Sequence, residues 1–307
     1  MVALHDTTAY HFSVTDDLVN LRREMTISRR AAFADSTQKG HVRQWKTYIK
    51  FCLHYGLRSL PSSSDTLSLY AQFLARSFQS VNAITNYVAG VKLMHVILQL
   101  PTTAFEAFEY KLTIKGLTRR KRHRVKQAAP ITPQILYQFL QFLDLTQPSD
   151  ATFWSLFLTA FFAMARKSNL VPASIKSYDA GKQLCRDRVL IGDQSLLLVW
   201  DWAKNIQAGE RLHKVPLLQI PGSKLCPVRA YKNMCALVPA QGKSPAFSTL
   251  VKGKIVPITY SQFNRKIKQL ITSCQLDPAQ FSTHSFRRGG NICIQGKSTR
   301  TNDTTAG

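Results

Sequence analysis

Two residues that bind anions lie three positions apart in the segment FSTHSFRRGG, at 281–290. They are His284 and Arg287, and Arg288 follows directly. In a helix, residues i and i+3 share a face, so this imidazole and this guanidinium could both reach one anion. Thr283 is a candidate N-cap, and first-turn N–H groups also favour anions. The spacing indicates an oxyanion or phosphate site, although a solvated helix face can carry the same pattern.

Two further cations lie where folded elements would fix them. Arg166 follows an apolar segment that predicts a buried helix. As an alternative, Arg166 at the end of that helix would serve only to stabilise the helix C-terminus. Lys204 lies in KNIQAGER, between the β-rich runs LLLVW and KVPL. These runs predict a small antiparallel sheet with a hairpin. Lys214 on the adjoining strand is the alternative to Lys204, and Arg288 is favoured as a structural or phosphate-backbone contact and not as a catalytic residue.

Basic residues exceed acidic residues throughout the chain. The 307 residues include 41 Lys+Arg and 17 Asp+Glu, a net charge of +24. Residues 1–130 carry 19 basic and 8 acidic side chains, and residues 131–307 carry 22 and 9, so neither half alone accounts for the excess. A polyanion is the expected partner, and double-stranded DNA is the first candidate.

Two groups of basic residues are the predicted DNA contacts. One is the basic face of a helix that begins at Ser36, and the other is the stretch 117–130, which lies in a region without acids between Glu109 and Asp144. Charge repulsion predicts that this stretch is an extended linker along a phosphate backbone, and its composition also fits a nuclear localisation signal. The predicted contacts are Lys39, Arg43, Lys46 and Lys50 in the first group, and Arg119, Arg120, Lys121, Arg122, Arg124 and Lys126 in the second.

The pattern of apolar residues predicts a mainly α protein with a small antiparallel β-sheet. Residues 1–35 are expected to be a flexible segment, with a short polar helix near its end. Residues 36–116 show four apolar stripes at helical spacing, the last ending at Gly116, and predict a helical domain. Residues 131–307 combine helices with the short β-rich runs and predict an α+β domain.

Nothing in the sequence calls for a metal, a cofactor or a membrane. The six cysteines lack zinc-ligand spacing and are expected to be reduced thiols of an intracellular protein. No uninterrupted apolar run reaches the length of a membrane span. The acidic residues are scattered, which disfavours a metal-dependent nuclease.

Four segments occur in a familiar order: FFAMARKSNLVP, VWDWAKNIQAGERLHKVPL, KLCPVRAY and THSFRRGG. With the helical domain in front, and over roughly residues 30–292, they resemble the tyrosine recombinases, the phage integrases and their eukaryotic transposon relatives. KLCPVRAY is similar to the segment that follows the hairpin in the eukaryotic, transposon-borne branch. The resemblance implies a helical, SAM-like core-binding domain followed by an α+β catalytic domain, and DNA strand transfer through a 3′-phosphotyrosine without metal or cofactor.

The resemblance also implies a role for each cation of the site. Arg166 and Arg287 would bind the non-bridging oxygens of the phosphate, where charge gathers in the transition state. His284 would donate to the same phosphate or exchange a proton with it, and Lys204 would protonate the leaving 5′-oxygen.

The sequence departs from this family at the nucleophile. In the family, a further His or Trp box and then a tyrosine follow the HxxR motif, whereas the 20 residues after Arg287 contain no Tyr, His or Trp. The last tyrosine is Tyr260. We therefore expect a catalytic domain that is incomplete at its C-terminus and inactive as it stands. A non-catalytic DNA-binding protein derived from a mobile element is the alternative. A type IB topoisomerase-like enzyme would need the same tyrosine.

The cellular setting follows only conditionally from the sequence. A nuclear location is expected if the host is a eukaryote, and a cytoplasmic location with the chromosome otherwise. The sequence leaves open whether the chain forms a homo-oligomer on DNA.

Overall fold

The computed structural model describes residues 7–122, 127–201 and 212–300, with side chains described for 17–29 and for 31–295 within those ranges. The chain divides into two compact units, Met1–Val125 and Lys126–Gly307. The division falls inside the predicted linker. Both units are mainly helical, and the second contains small antiparallel sheets, which confirms the predicted fold class.

The first unit is helical throughout its regular structure, as the apolar stripes predict. Its core is formed by residues such as Tyr48, Leu67, Tyr70, Ile84 and Val91, all of which are fully buried. They come from helices that pack their apolar faces together. The helices are α1 (Thr7–Ala31), α2 (Asp35–His54), α3 (Ser64–Ser77), α4 (Val81–Ile97) and α5 (Phe108–Lys121), with a 3-10 turn at Thr103–Glu106.

Helix α5 differs from its prediction at both ends. In the fourth apolar stripe, which the spacing predicts to face the core, Phe108 and Leu112 are exposed, whereas Tyr110 and Leu117 are buried. Because Leu117 packs into the core, the helix continues through Gly116 as far as Lys121. The beginning of the stretch 117–130 is therefore helical, and the prediction that all of it is extended was wrong.

Helix α1 covers residues for which the sequence predicts a flexible segment and a short polar helix. It is continuous from Thr7 to Ala31, and each of its described side chains is exposed. No core imposes a buried stripe on this helix, which is why an argument from core packing does not find it.

The second unit surrounds one buried helix. Residues 151–161 of α7 are all buried, in agreement with the prediction of a helix that is apolar nearly all round. Its helices are α6 (Pro133–Phe139), α7 (Pro148–Phe162), α8 (Lys167–Leu170), α9 (Pro227–Leu237), α10 (Tyr260–Ser273) and α11 (His284–Arg300), and its strands are β1 (Val189–Ile191), β2 (Ser195–Trp200), β3 (His213–Leu218), β4 (Ser248–Val251) and β5 (Lys254–Pro257).

The strands form two antiparallel sheets, of which the sequence analysis predicts one. Strands β1, β2 and β3 pair in that order, with Leu198 opposite both Val189 and Val215. The second sheet is the hairpin β4–β5. Its turn residues, Lys252 and Gly253, both have positive φ, which a two-residue hairpin turn of this kind requires. In the sequence, the Lys-Gly pair between two short β-rich runs was the signal that could have predicted this hairpin.

All six cysteines lie in the described part of the chain and are free thiols, with Cys52, Cys185 and Cys226 buried. None of the described helices has the length and apolar character needed to cross a membrane.

Candidate phosphate-binding site

Helix α11 begins with a hydrogen-bonded cap at Ser282. The Ser282 hydroxyl accepts from the backbone N–H of His284 at 3.2 Å, and the Ser285 hydroxyl accepts from the N–H of Ser282 at 3.0 Å. The N–H of Ser285 donates to the carbonyl of Ser282. Thr283 directly precedes the helix, as predicted for an N-cap, but the hydroxyl that accepts the first-turn N–H is that of Ser282. Because the N–H groups of His284 and Ser285 already have partners, the side chains are the stronger candidates for binding an anion at this helix.

The first two turns of α11 have a buried face and an outward face. The outward residues are spaced i, i+3, i+4 and i+7, and the buried residues occupy the positions between them. The outward residues border one cavity of about 560 Å³. Its lining consists of Gln127, Ala128, Ser282, His284, Arg287, Arg288 and Asn291. The predicted shared face of His284 and Arg287 is therefore present, and Asn291 is a member that the sequence analysis missed.

Phe286 fixes the rotation of the helix about its axis. It is fully buried, and its ring stacks against Phe157 of α7 and Phe263 of α10, with centroid distances of 5.2 and 5.8 Å. Since Arg287 is the next residue, the packing of this ring determines the direction in which the arginine leaves the helix.

Gly289 and Gly290 allow α11 to approach neighbouring backbone very closely. A Cβ atom on Gly289 would lie 1.8 Å from the carbonyl oxygen of Ile131. A Cβ atom on Gly290 would lie 2.3 Å from the carbonyl oxygen of Phe161 and 2.9 Å from Cγ of Met164. The glycine pair in RRGG thus brings the helix against the end of α7. In the sequence, two adjacent glycines within a predicted helix are a signal for such a close approach.

Arg166 lies two residues beyond this contact with Met164. Helix α7 ends at Phe162, Met164 has a φ of 48°, and Arg166 is the N-cap residue of the short helix α8. The prediction that Arg166 ends the core helix was therefore wrong, because a left-handed turn separates them. Arg166 is half-buried, and it is not among the described residues that line the α11 cavity.

The segment that enters the second unit is attached to α11. The Arg288 guanidinium donates to the carbonyl of Ala128, and the N–H of Ile131 donates to the carbonyl of Ser285 at 3.0 Å. The N–H of Ala129 donates to the carbonyl of Gln280 at 2.6 Å. Residues 128–131 are thus part of the second unit and not of an extended linker. Arg288 has the structural contact that the sequence analysis favoured for it.

The site is positively charged without a compensating acid. None of the ion pairs among the described residues includes Arg166, His284, Arg287 or Arg288. In the same part of the chain, no cluster of His, Cys, Asp and Glu is suited to a metal ion. Cationic side chains grouped around a cavity favour binding of an anion, with bidentate geometry available from each guanidinium.

The candidate lysines have different standing. Lys204 lies outside the described residues, between β2 and β3 in sequence, so its role stays a prediction. Lys214 is exposed on β3, opposite Val199. His213 precedes it, and its ring stacks on Trp200 with a centroid distance of 5.8 Å.

The predicted DNA contacts in the first unit are mostly exposed. The basic face of α2, formed by Lys39, Arg43, Lys46 and Lys50, is exposed. In and after the last turn of α5, Arg119, Arg120 and Arg122 are exposed, whereas the Lys121 ammonium donates to the carbonyl of Ala75 at 2.7 Å. Arg124 and Lys126 lie outside the described residues.

Folding adds Arg76 to the basic residues of α5. Arg76, Arg120 and Lys121 border a cavity of about 360 Å³ between α3 and α5. Arg76 is the only basic residue in the α3 sequence, so no cluster along the chain marks it. Three cations around one cavity form a second place where a phosphate group could bind.

Comparison with known proteins agrees with this arrangement. No protein-family model matches the chain. An integrase/recombinase xerD homolog from Selenomonas ruminantium is 21% identical over 263 residues, which cover 83% of this chain and 72% of the relative. The Tn1549 transposon integrase, solved with transposon right end DNA, matches with a TM-score of 0.59 and 14% identity over 89% of this chain and 85% of that chain. The same integrase with circular intermediate DNA matches with a TM-score of 0.54 at 14% identity, over 89% and 86% of the two chains.

The chain thus shares, over most of its length, the fold of the solved Tn1549 integrase structures. The sequence match to the xerD homolog and the fold shared with the Tn1549 integrase agree with the ordered motifs that resemble the tyrosine recombinase/integrase family. This confirms the resemblance to that family. Membership in the eukaryotic, transposon-borne branch stays a prediction.

Proposed function

We propose that this chain binds double-stranded DNA and holds one phosphodiester at the α11 cavity, for strand exchange of the tyrosine recombinase type. The observation that carries the proposal is the outward face of α11. His284 and Arg287 border the same cavity, and no carboxylate among the described residues pairs with either.

The chemistry assigned to these side chains follows from the charge of the reacting phosphate. Attack on a phosphodiester places extra negative charge on the non-bridging oxygens. Arg287 and Arg166 would bind those oxygens and stabilise the transition state more than the ground state. His284 would donate to the same group or exchange a proton with it. The contact between Gly290 and Met164 supports joint action, because it places α11 beside the segment that leads to Arg166.

The leaving 5′-oxygen needs a proton, since an alkoxide is a poor leaving group. Lys204 is proposed as this general acid, and Lys214 is the alternative. The exposed position of Lys214 on β3 leaves its ammonium accessible to a substrate.

The nucleophile is not evident among these 307 residues. No tyrosine follows Tyr260 in the sequence. Burial raises the pKa of the Tyr260 phenol above its ordinary value, against a smaller lowering by a hydrogen bond with Ser168. A phenol is protonated at neutral pH even at its ordinary pKa, and burial raises the pKa of Tyr260 further, so its surroundings do not promote the phenolate. We therefore propose that residues 1–307 bind DNA without forming a covalent adduct, and that cleavage requires a tyrosine from a further segment or another molecule.

The absence of a tyrosine after Tyr260 also favours the second candidate function, a non-catalytic DNA-binding protein that retains the phosphate site. In both cases the DNA backbone would contact the basic face of α2 and the cations around α5. The run at 119–126 would additionally serve as a nuclear localisation signal if the host is a eukaryote.

DNA binding is tested by the salt dependence of affinity for a duplex. If about six phosphates are neutralised, log K should fall with log[salt] with a slope near −5. Fluorescence anisotropy with a labelled duplex measures this slope. Affinity that does not change with salt would overturn the proposed electrostatic interface.

Covalent chemistry is tested with a nicked suicide substrate and a denaturing gel. The chain as it stands should give no protein–DNA band. Addition of a family-like C-terminal segment with its tyrosine should produce one, and Arg287→Ala should abolish it. Arg265→Ala is the matched control, since Arg265 is exposed on α10 and makes no ion pair among the described residues. A band from the unmodified chain would refute the absence of a nucleophile, and mapping its linkage would identify the residue.

A further inference from the structure

Helix α1 exposes a stripe of apolar side chains that nothing in the described chain covers. Leu18, Leu21 and Met25 are 49%, 52% and 43% exposed. Their spacing of three and then four residues places them on one side of the helix. Val14 occupies the preceding position of the same 3-4 pattern in the sequence. This 3-4 repeat is typical of a coiled-coil seam, in which Leu18 and Met25 would be a positions and Leu21 a d position, with the polar Ser28 at the next d position.

The charges that flank this stripe have a matching order. With that register, Asp17 and Glu24 occupy g positions, and Arg22 and Arg29 occupy e positions. One edge of the stripe is thus acidic and the other basic. Such e and g residues determine which partner a coiled-coil helix accepts and in which orientation.

These charges are not arranged to pair within α1. Each acid is separated by five residues from its base, Asp17 from Arg22 and Glu24 from Arg29, whereas pairs within a helix need a separation of three or four. None of the ion pairs that the structure shows in its described part includes these four residues. An explanation inside the single helix is therefore lacking.

A separation of five residues suits a pair of parallel helices. In a parallel two-stranded coiled coil, each g residue faces the e residue five positions later on the partner helix. Asp17 of one copy would then meet Arg22 of the other, and Glu24 would meet Arg29. An antiparallel pair would instead place acid against acid and base against base. The charge order thus selects a second copy of this chain in parallel orientation.

We infer that α1 is a self-association helix, which pairs in parallel with α1 of a second copy through the stripe of Leu18, Leu21 and Met25. Only about two to three heptads take part, and short coiled coils are marginally stable in water, so the pairing is weak and depends on concentration. The inference requires neither DNA nor catalysis, so it stands or falls separately from the proposed function.

The test uses the full chain without DNA, in sedimentation velocity over a concentration series. The wild type should shift reversibly from monomer to dimer. The double variant Asp17→Arg/Glu24→Arg and the double variant Arg22→Glu/Arg29→Glu should each associate at least about tenfold more weakly, because like charges then face each other across the seam. An equimolar mixture of the two variants should dimerise again, since each basic edge then meets an acidic edge.

Two alanine substitutions on different sides of α1 locate the seam on the helix. Leu21→Ala should weaken dimerisation by about tenfold or more, in keeping with the loss of a buried leucine at a d position. Ile27→Ala removes an apolar side chain that is 59% exposed on the opposite side of α1, and it should have no effect. A wild type that stays monomeric at every accessible concentration would overturn the inference. So would a mixture of charge variants that fails to dimerise, or equal effects of the two alanine variants.

Discussion

The basic residues of α11 and those of α2 are held in different ways. Arg287 and Arg288 are half-buried on α11, whose other face is fixed by Phe286 and by the two glycines. On α2, by contrast, Lys39, Arg43, Lys46 and Lys50 are exposed, and none of the ion pairs among the described residues includes them. The first group can therefore present a defined geometry to one phosphate, whereas the second provides positive charge along a surface.

This difference determines how each group responds to its surroundings. Exposed charges separated by more than about 10 Å are largely screened at 0.1 M salt, so the α2 surface should contribute a salt-dependent affinity that many residues share. Grouped cations without a counterion depend on packing to stay together, because removal from water is costly. Mutations that alter the packing beneath α11 should consequently have the largest effects on the protein.

The largest effect is expected from Gly289→Ala. The new Cβ would overlap the backbone of Ile131, and since backbone cannot move aside cheaply, the free energy of unfolding of the second unit should fall by about 3 kcal/mol. Gly116→Ala is the matched control, because no atom lies within 4 Å of its added Cβ, and in the interior of α5 it should stabilise by about 0.5–1 kcal/mol. Urea denaturation monitored by circular dichroism measures both. Similar effects at the two glycines would contradict the close approach of α11.

A smaller effect is expected from Arg288→Met, which keeps the apolar stem but removes the donor to the Ala128 carbonyl. The loss should be about 1–2 kcal/mol, since the partly buried carbonyl of Ala128 loses a charged donor. Hydrogen exchange should also increase at Ala129 and Ile131. The control Arg265→Met on exposed surface should change stability by less than about 0.5 kcal/mol. Unchanged exchange at these two amides would remove the structural role of Arg288.

Two substitutions at helix caps, one in each unit, should lower the free energy of unfolding by similar amounts. The hydroxyl of Ser282 accepts the N–H of His284, and the hydroxyl of Ser63 accepts the N–H of Thr66 at the start of α3. Ser282→Ala and Ser63→Ala should each lower stability by about 1 kcal/mol. Only Ser282→Ala should also lower the affinity for a phosphate-containing duplex. Urea unfolding followed separately in each unit, combined with anisotropy, would show whether a shared cost has a site-specific consequence.

The smallest effects are expected on the basic surface of the first unit. Arg119→Ala and Arg120→Ala should each reduce the magnitude of the salt slope of DNA binding by about 0.9, because each removes one phosphate contact. Lys121→Ala should change the slope less, since the Lys121 ammonium already donates to the carbonyl of Ala75. Anisotropy at several salt concentrations distinguishes these cases. An equal change for all three variants would show that Lys121 is as free as its neighbours.

Features that depend on spacing along a single element were predictable. The burial of α7 follows from apolar residues on all its sides, and the β2–β3 pairing follows from two β-rich runs joined by a polar segment. The shared face of His284 and Arg287 follows from helical geometry alone. For this reason the mainly α fold, the small sheet and the HxxR face could be predicted without the structure.

Features that depend on contacts between distant residues were not predictable in the same way. The hydroxyl that accepts the first N–H of α11 belongs to Ser282 and not to Thr283, and Arg166 begins α8 after a left-handed turn at Met164 instead of ending α7. Arg76 and Arg120 border one cavity although they are far apart in sequence.

The sequence by itself therefore determined which cations share a helix face and which segments are buried, because both follow from the repeat of a single helix or strand. Only the tertiary structure decided where that face lies. Arg288 contacts a carbonyl 160 residues away, and the place of Gly289 is decided by the backbone of Ile131. Such contacts leave no periodic trace along the chain, since they depend on how elements pack against one another and not on the spacing within any one of them.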